Sequence, residues 1–326
     1  MPITLTFHDS QYPARVAEQL RQGLRSRRLP AKFLYDSPAQ AQRWLAYHQA
    51  YSPSRTESDL LGLYQDAYVA ALARLPNTPL HYVSLGCGGG RKDALFLQRA
   101  WSQLPQLHYT PTDISAALVV ETMLHIQAAF AELTCSPYVL DLEAEPELNA
   151  MLAAHDPEAS VRLFSCFGMI PNFDYQTFLP YVQRTLREDD LLLISANLSP
   201  DPYPAAKAYI APQYDNPHAH AWYSGLLDSL GFPMSQVSTS VQAVPLREDG
   251  QIWQLQVHTT FLQPVTLTVY DESFHFGPDE HLQVFFSTRF TPEVIPEIFA
   301  EAGLQVIESF LFESREEGIY LCGVSA

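Results

Sequence analysis

Positive charge is scarce. The 326 residues hold 19 Lys and Arg against 36 Asp and Glu, a formal net charge of −17. Neutralising phosphates takes clustered Lys and Arg, and anionic lipid surfaces attract the same groups, so nucleic acid and membrane are both disfavoured as partners. Cysteine is nearly as sparse. Cys87, Cys135, Cys166 and Cys322 are scattered with no Cys-x-x-Cys spacing, which fits neither a zinc site nor a disulfide framework. The expectation is reduced thiols in a cytoplasmic protein that holds no metal. No run approaches the ~20 apolar residues that cross a bilayer. Met1 to Asp9 lacks a basic stretch followed by an apolar core, so no secretory leader is predicted. Repeats and low-complexity segments are absent as well.

What is present is ordinary globular composition, 47% apolar and 12% aromatic, long enough for two domains or one large α/β unit. One stretch organises the rest: Val83-Ser84-Leu85-Gly86-Cys87-Gly88-Gly89-Gly90-Arg91-Lys92. It follows the apolar run Leu80 to Val83 and precedes an amphipathic pattern over Asp93 to Leu97. Strand, glycine turn and helix let a nucleotide-like ligand lie against bare backbone, because glycine lacks Cβ and tolerates positive φ. The spacing Leu-Gly-x-Gly-x-Gly differs from the Gly-x-Gly-x-x-Gly of dinucleotide binders. It resembles the loop of class I S-adenosylmethionine methyltransferases. The alternative is a glycine-rich surface turn after any buried strand. A second feature favours the ligand: Leu107 to Asp113 reads as the next strand and ends in a carboxylate. An acid there accepts hydrogen bonds from a ribose diol, about 20 residues past the loop in related folds. Asp113 also suits the N-cap of a helix starting near Ile114, with Ser115 competing for the role.

In chain order, a first helix over Ala14 to Leu20 ends in Arg25-Ser26-Arg27-Arg28, expected as a solvated helix end. A second helix holds Trp44, Leu45 and Tyr47, and Ser54 with Glu57 has capping-box spacing ahead of a third. From Leu80 to Asn197 strands and helices alternate, which predicts a parallel sheet with further strands at Pro137–Leu140, Val161–Phe167 and Leu191–Ala196. Asn172 follows the strand ending at Phe167, where open parallel sheets bind ligands. Prolines crowd residues 200–217, and a helix is expected over Ala221–Leu230. Two β-branched alternating runs, Ile252–His258 and Val265–Val269, suggest an antiparallel hairpin. A strand Phe285–Phe290, a helix from Pro292 and two last strands complete the chain.

Several of these segments together resemble the histidine-specific methyltransferases of ergothioneine biosynthesis: Phe33-Leu34-Tyr35-Asp36, Tyr51-Ser52-Pro53-Ser54-Arg55-Thr56-Glu57, the glycine loop with Lys92, and Tyr109-Thr110-Pro111-Thr112-Asp113-Ile114-Ser115. The matches come in family order across nearly the whole chain. The resemblance implies S-adenosyl-L-methionine as cofactor and a class I, Rossmann-like α/β core with an inserted α+β substrate-binding lobe. Residues 57–197 and 289–326 would form the core, and 1–56 with 198–288 the lobe. It further implies Gly86, Gly88, Lys92, Asp113, Asp141 and Leu142 as cofactor-binding residues. Tyr35, Tyr51, Asn172 and Tyr214 would surround the substrate, with Asn172 and Tyr51 orienting the reacting amine.

Two departures bear on the substrate. The family's Tyr-Tyr-Pro is Tyr51-Ser52-Pro53, which removes one phenol. The family's Thr-Glu-x-Ser-x-Lys-Phe is Val284-Phe285-Phe286-Ser287-Thr288-Arg289-Phe290, so Ser287 stays and the glutamate that grips imidazole becomes Phe285. A phenyl ring accepts no N–H, and an unsatisfied buried donor costs about 1–3 kcal/mol. Phe285 and Phe286 point to opposite strand faces, so only one lines the pocket, and the alignment selects Phe285. The acceptor is therefore expected to be a small-molecule amine or amino acid other than histidine. His218, His220 and His281 are noted as possible bases and none is assigned. The rivals are O- or C-methylation of an aromatic metabolite, and a cofactor-binding protein without catalysis.

Overall fold

The computed structural model describes residues 2–51, 58–104 and 106–325, with the backbone alone at residues 51 and 58–60. A short strand β1 (Thr6–Phe7) leads into helices α1 (Pro13–Ser26), α2 (Pro38–Tyr51) and α3 (Ser58–Arg74). The expected capping box of Ser54 and Glu57 lies outside the described residues. Strands and helices then alternate: β2 (Leu80–Leu85), α4 (Arg91–Ala100), β3 (Leu107–Asp113), α5 (Ala116–Ala129), β4 (Thr134–Cys135), β5 (Tyr138–Val139), α6 (Leu148–Ala153), β6 (Val161–Cys166), α7 (Tyr175–Thr185) and β7 (Leu191–Asn197). β2 and β3 are buried along their whole length. That is why they read as near-continuous runs rather than alternating ones, as strands covered on both faces do.

Among the described residues the main sheet has nine strands. Its order is β1-β5-β3-β2-β6-β7, continued by β14 (Glu317–Val324) and β13 (Leu304–Leu311), with β4 beside β3. Pairing is parallel through β7 and antiparallel at β14 and β13. The first long strand, β2, is central. The chain steps from it to β3 and β5 on one side, then returns to β6 and β7 on the other. Such a reversal opens a crevice beyond the carboxyl ends of β2 and β6, where doubly wound sheets bind ligands.

Between β7 and β13 lie α8 (Lys207–Ile210), α9 (Pro217–Ser229), β8 (Val237–Pro245), β9 (Ile252–Phe261), β10 (Val265–Val269), β11 (Glu272–Phe276), β12 (His281–Phe290) and α10 (Ile295–Glu301). The expected pairing of the 252–258 and 265–269 runs does not form. β9 instead sits between β8 and β12, and β10 pairs with β11. β8 escapes a sequence reading because Val237–Pro245 is an edge strand, half-buried and rich in Ser, Thr and Gln. The β10–β11 turn is hidden for another reason: Tyr270 takes φ 55° where a glycine or asparagine would have marked it.

Two further expectations need correction. The basic end of α1 is not merely solvated, because Arg21, Arg25 and Arg27 pair with Asp271, Glu272 and Glu280 at 2.9, 2.5 and 3.0 Å. The N-terminal residues also do not all belong with the inserted elements, since Thr6 and Phe7 pair with Tyr138 and Val139 in the main sheet. The apolar clusters are otherwise cleanly sorted. One gathers Leu20, Leu24, Phe33, Trp222, Trp253, Phe261, Leu282 and Phe285. Two others pack the faces of the main sheet, around Leu85, Phe164 and Phe178 and around Tyr64, Tyr82 and Phe96.

Candidate active site

The glycine loop turns at the end of β2. Gly86 and Gly90 hold φ of 74° and 71°, the left-handed region that side chains rarely adopt. A Cβ at Gly86 would stand 2.4 Å from Met169 Sδ, and one at Gly90 2.7 Å from Thr122 Cγ2. Both positions therefore need glycine for conformation, and at Gly90 the Thr122 backbone, with its Cα 3.1 Å from the added Cβ, restricts the space as well. Cys87 between them is buried, with its thiol pushed up by desolvation.

Asp113 ends β3 beside this loop. Its Oδ2 accepts from the Gly88 N–H at 3.0 Å and its Oδ1 from the Ser115 N–H at 2.9 Å. The helix α5 begins at Ala116 with Ser115 in the N-cap position, so Asp113 is not the cap it was expected to be and instead braces the cap residue through the second bond. Burial pushes its carboxyl up to about 6, against those backbone donors.

Gly86, Gly88, Lys92, Asp113, Asp141, Leu142, Asn172, Tyr35, Tyr214 and Phe285 all line one cavity of about 300 Å³. It opens at the crevice between β2 and β6. Ser287 stands just behind the wall, with its Oγ 2.9 Å from Tyr214 Oη. The Tyr51 side chain lies outside the described residues. His218, His220 and His281 are not among the residues lining this cavity, whereas His48 is, stacked on Trp44.

At the loop end, Lys92 Nζ lies 2.5 Å from Tyr64 Oη, which in turn donates to Glu317. At the far end the Asp141 carboxylate is engaged by Lys32 Nζ at 3.0 Å and Gln19 Nε2 at 2.9 Å, and its Oδ1 takes the Glu143 N–H. Across the cavity Asn172 Nδ2 donates to Tyr35 Oη at 3.3 Å. Burial raises the Tyr35 phenol, so it stays protonated at neutral pH. Aromatic rings wall this end: Tyr35 meets Trp44 and Trp222 edge-on at 5.9 and 5.3 Å, and Tyr47 stacks on Trp222 at 5.6 Å. Phe285 stacks on Tyr214 and meets Trp222 edge-on. Phe286 faces the other way and takes the Arg28 guanidinium over its ring at 4.8 Å.

Lys32, Trp44, Tyr47, Trp222 and Arg289 also line the cavity and were not singled out from sequence. Arg289 had a legible signal, since it alternates with Phe285 and Ser287 along β12. Lys32 adjoins the Phe33-to-Asp36 segment. The two tryptophans and Tyr47 carry no mark that separates them from core rings.

The bare loop, the Asp113 carboxylate and the adjoining cavity fit a nucleoside cofactor, and comparison with known proteins names it. Residues 16–324 match the family of histidine-specific, S-adenosylmethionine-dependent methyltransferases. The chain is 23% identical over 241 residues to the N-methyltransferase fsqC of Aspergillus fumigatus, covering 72% of this chain. It spans 64% of that relative's length. Among solved structures it is similar to magnesium protoporphyrin IX methyltransferase from Synechocystis PCC 6803 with S-adenosylhomocysteine bound, at TM-score 0.45 and 12% identity over 90% of this chain and 96% of that one. It is also similar to the methyltransferase domain of a citrinin polyketide synthase, at TM-score 0.48 and 16% identity over 89% and 57% of the two chains. With a family match that runs through both the glycine loop and the last strands, the chain belongs to the histidine-specific family of S-adenosylmethionine-dependent methyltransferases.

Proposed function

We propose that this methyltransferase methylates the amino nitrogen of an amino acid or amino-acid-derived small molecule other than histidine. The pairing of Asn172 with Tyr35 inside an aromatic-walled cavity carries the reading. An amide and a neutral phenol orient an amine without adding positive charge, and a nucleophilic nitrogen must arrive with its lone pair free. Bound S-adenosylmethionine supplies an activated methyl group. The protein's share is then alignment and exclusion of water. The name of the Aspergillus relative as an N-methyltransferase agrees with this reading.

The exclusion of histidine rests on Phe285. It packs against Tyr214, Trp222 and Tyr223, where a carboxylate would be needed to hold an imidazole N–H. Gly86, Gly88, Lys92 and Asp113 serve the cofactor in this reading, and Asp141 with Leu142 borders its adenine end. Residues 57–197 and 289–326 act as the cofactor core, with the inserted elements and the N-terminal helices as a substrate lobe. The common cluster of Leu24, Phe33, Trp222 and Phe285 supports that division. The test is a screen of amino acids and amines with isotope-labelled S-adenosylmethionine, read by mass spectrometry. Label in an amine nitrogen is the expected result, and label found only in oxygen or carbon acceptors would overturn it.

A further inference from the structure

Among the described residues three cationic side chains are deeply buried: Lys32, Arg162 and Arg289. Lys32 is paired with Asp141 and Arg162 with Asp156. Arg289, 3% exposed, makes no ion pair among the described residues, although it lines the same cavity as Glu316 and Glu317. Its Nη2 donates to Tyr214 Oη at 2.6 Å and its Nη1 to the Leu198 carbonyl at a long 3.5 Å, while Nε has no partner among the described residues. A guanidinium cannot shed its proton to escape burial. A buried charge with only neutral partners is unfavourable unless an opposite charge arrives. Among the described residues the other two buried cations each meet a carboxylate, and Arg289 meets none.

Position strengthens the point. Phe285, Ser287 and Arg289 share one face of β12, so the guanidinium belongs to the same wall as the residues placed around the substrate. Tyr214 Oη accepts from Arg289 and shares a hydrogen bond with Ser287 Oγ, so the guanidinium, the phenol and the serine form one connected row along the wall. Six carboxylates also line the cavity, those of Asp93, Asp113, Asp141, Glu143, Glu316 and Glu317, and they repel an anion, while Lys32 is paired with Asp141 and Lys92 lies 3.8 Å from Glu317. An anionic group is accommodated at Arg289 and disfavoured beside those acids.

We propose that Arg289 receives the carboxylate of the methyl acceptor, so that the substrate is an α-amino acid and not the corresponding free amine. This inference rests on the N-methylation reading above. Arg289 acts on binding and discrimination, and no proton moves through it. A decarboxylated amine leaves the guanidinium buried and unpaired, whereas a carboxylate meets its planar donors in a charge-assisted pair.

Matched pairs test it: tryptophan with tryptamine, phenylalanine with phenethylamine, histidine with histamine, each assayed for labelled methyl transfer with wild type, Arg289→Met and Arg289→Lys. S-adenosylhomocysteine binding by each variant reports an intact fold. For whichever pair is active, wild-type kcat/KM should favour the amino acid by about a hundredfold or more. Arg289→Met should remove most of that preference by lowering the amino acid alone, with the loss in KM, and Arg289→Lys should keep part of it. Equal use of acid and amine by wild type overturns the assignment, as does an equal loss on both in Arg289→Met. Should Arg289→Met fail to fold, the wild-type ratio and Arg289→Lys decide the matter. If no amine of either kind accepts a methyl while S-adenosylhomocysteine binds, the N-methylation reading fails first and this inference falls with it.

Discussion

Single side chains carry the chemistry, and Asp113 is the most exposed to test. Its carboxylate is held by Gly88 and Ser115, and in the proposed reading it accepts a ribose diol. Asp113→Ala should weaken S-adenosylhomocysteine by about 1.5–3 kcal/mol, one to two decades by calorimetry. Burial lifts its carboxyl to about 6, so lowering the pH through that value protonates it and removes an acceptor. Wild-type affinity should therefore fall as the pH drops below about 6, and Asp113→Asn should show a flatter profile. At the other end of the cavity, Phe285→Glu puts a carboxylate among Tyr214, Trp222 and Tyr223. Activity on the native acceptor should drop and some histidine should be admitted, a change in preference of a few kcal/mol. Unaltered preference would detach Phe285 from the substrate. At this scale the sequence was readable wherever a residue belonged to a patterned motif. Asp113 and Phe285 were legible in that way. Lys32, Trp44 and Trp222 were not, because a lysine beside an aromatic motif or a tryptophan on a helix looks the same whether it lines a cavity or a core.

Elements set those side chains in place. The turn after β2 works because Gly86 and Gly90 take positive φ against Met169 and Thr122. Gly86→Ala should destabilise the fold by about 1–3 kcal/mol in denaturant titrations and weaken cofactor binding, since alanine is strained at that φ and displaces the Met169 side chain. An alanine tolerated without loss would show that the turn is not under that constraint. Strand, loop and helix were legible at this point because buried parallel strands leave continuous apolar runs and glycine marks the turn. The inserted sheet was only half legible. Its central strand β9 and much of β12 stood out, while β8 is a polar edge and the β10–β11 turn uses Tyr270 and Asp271. Partner choice between strands is decided by long-range packing, here the cluster around Phe261 and Phe276, which local patterns do not encode.

At the scale of the whole molecule, stability is tied to a polar network buried under the sheet and remote from the site. His81 lies between Asp156 at 2.7 Å and Thr110 at 2.8 Å, and its ring meets that of His108 at 4.7 Å. Burial pushes both imidazoles down to about 4, so both stay neutral in the folded chain at neutral pH. A histidine depressed in the native state takes up its proton more readily when unfolded. Its contribution is present above about 6.5 and is lost as the pH falls toward about 4, amounting to a few kcal/mol. Carboxyls raised by burial, Asp113 among them, act in the opposite sense, so the difference between wild type and His81→Gln is the proper readout. That difference should narrow on acidification, and the His81 and His108 ring signals should not titrate above about pH 5 in magnetic resonance spectra. Titration near 6.5 would show that neither ring is held as described.

The proposed methyl transfer to the nitrogen of an amino acid other than histidine can be read from a single labelling experiment. The purified chain is given deuterated-methyl S-adenosylmethionine and an equimolar mixture of the amino acids, and the products are fragmented by mass spectrometry. The account predicts label on the α-nitrogen of an amino acid with an aromatic or aliphatic side chain, with histidine left largely unmodified. Label accumulating mainly on histidine, or on oxygen or carbon alone, would contradict it.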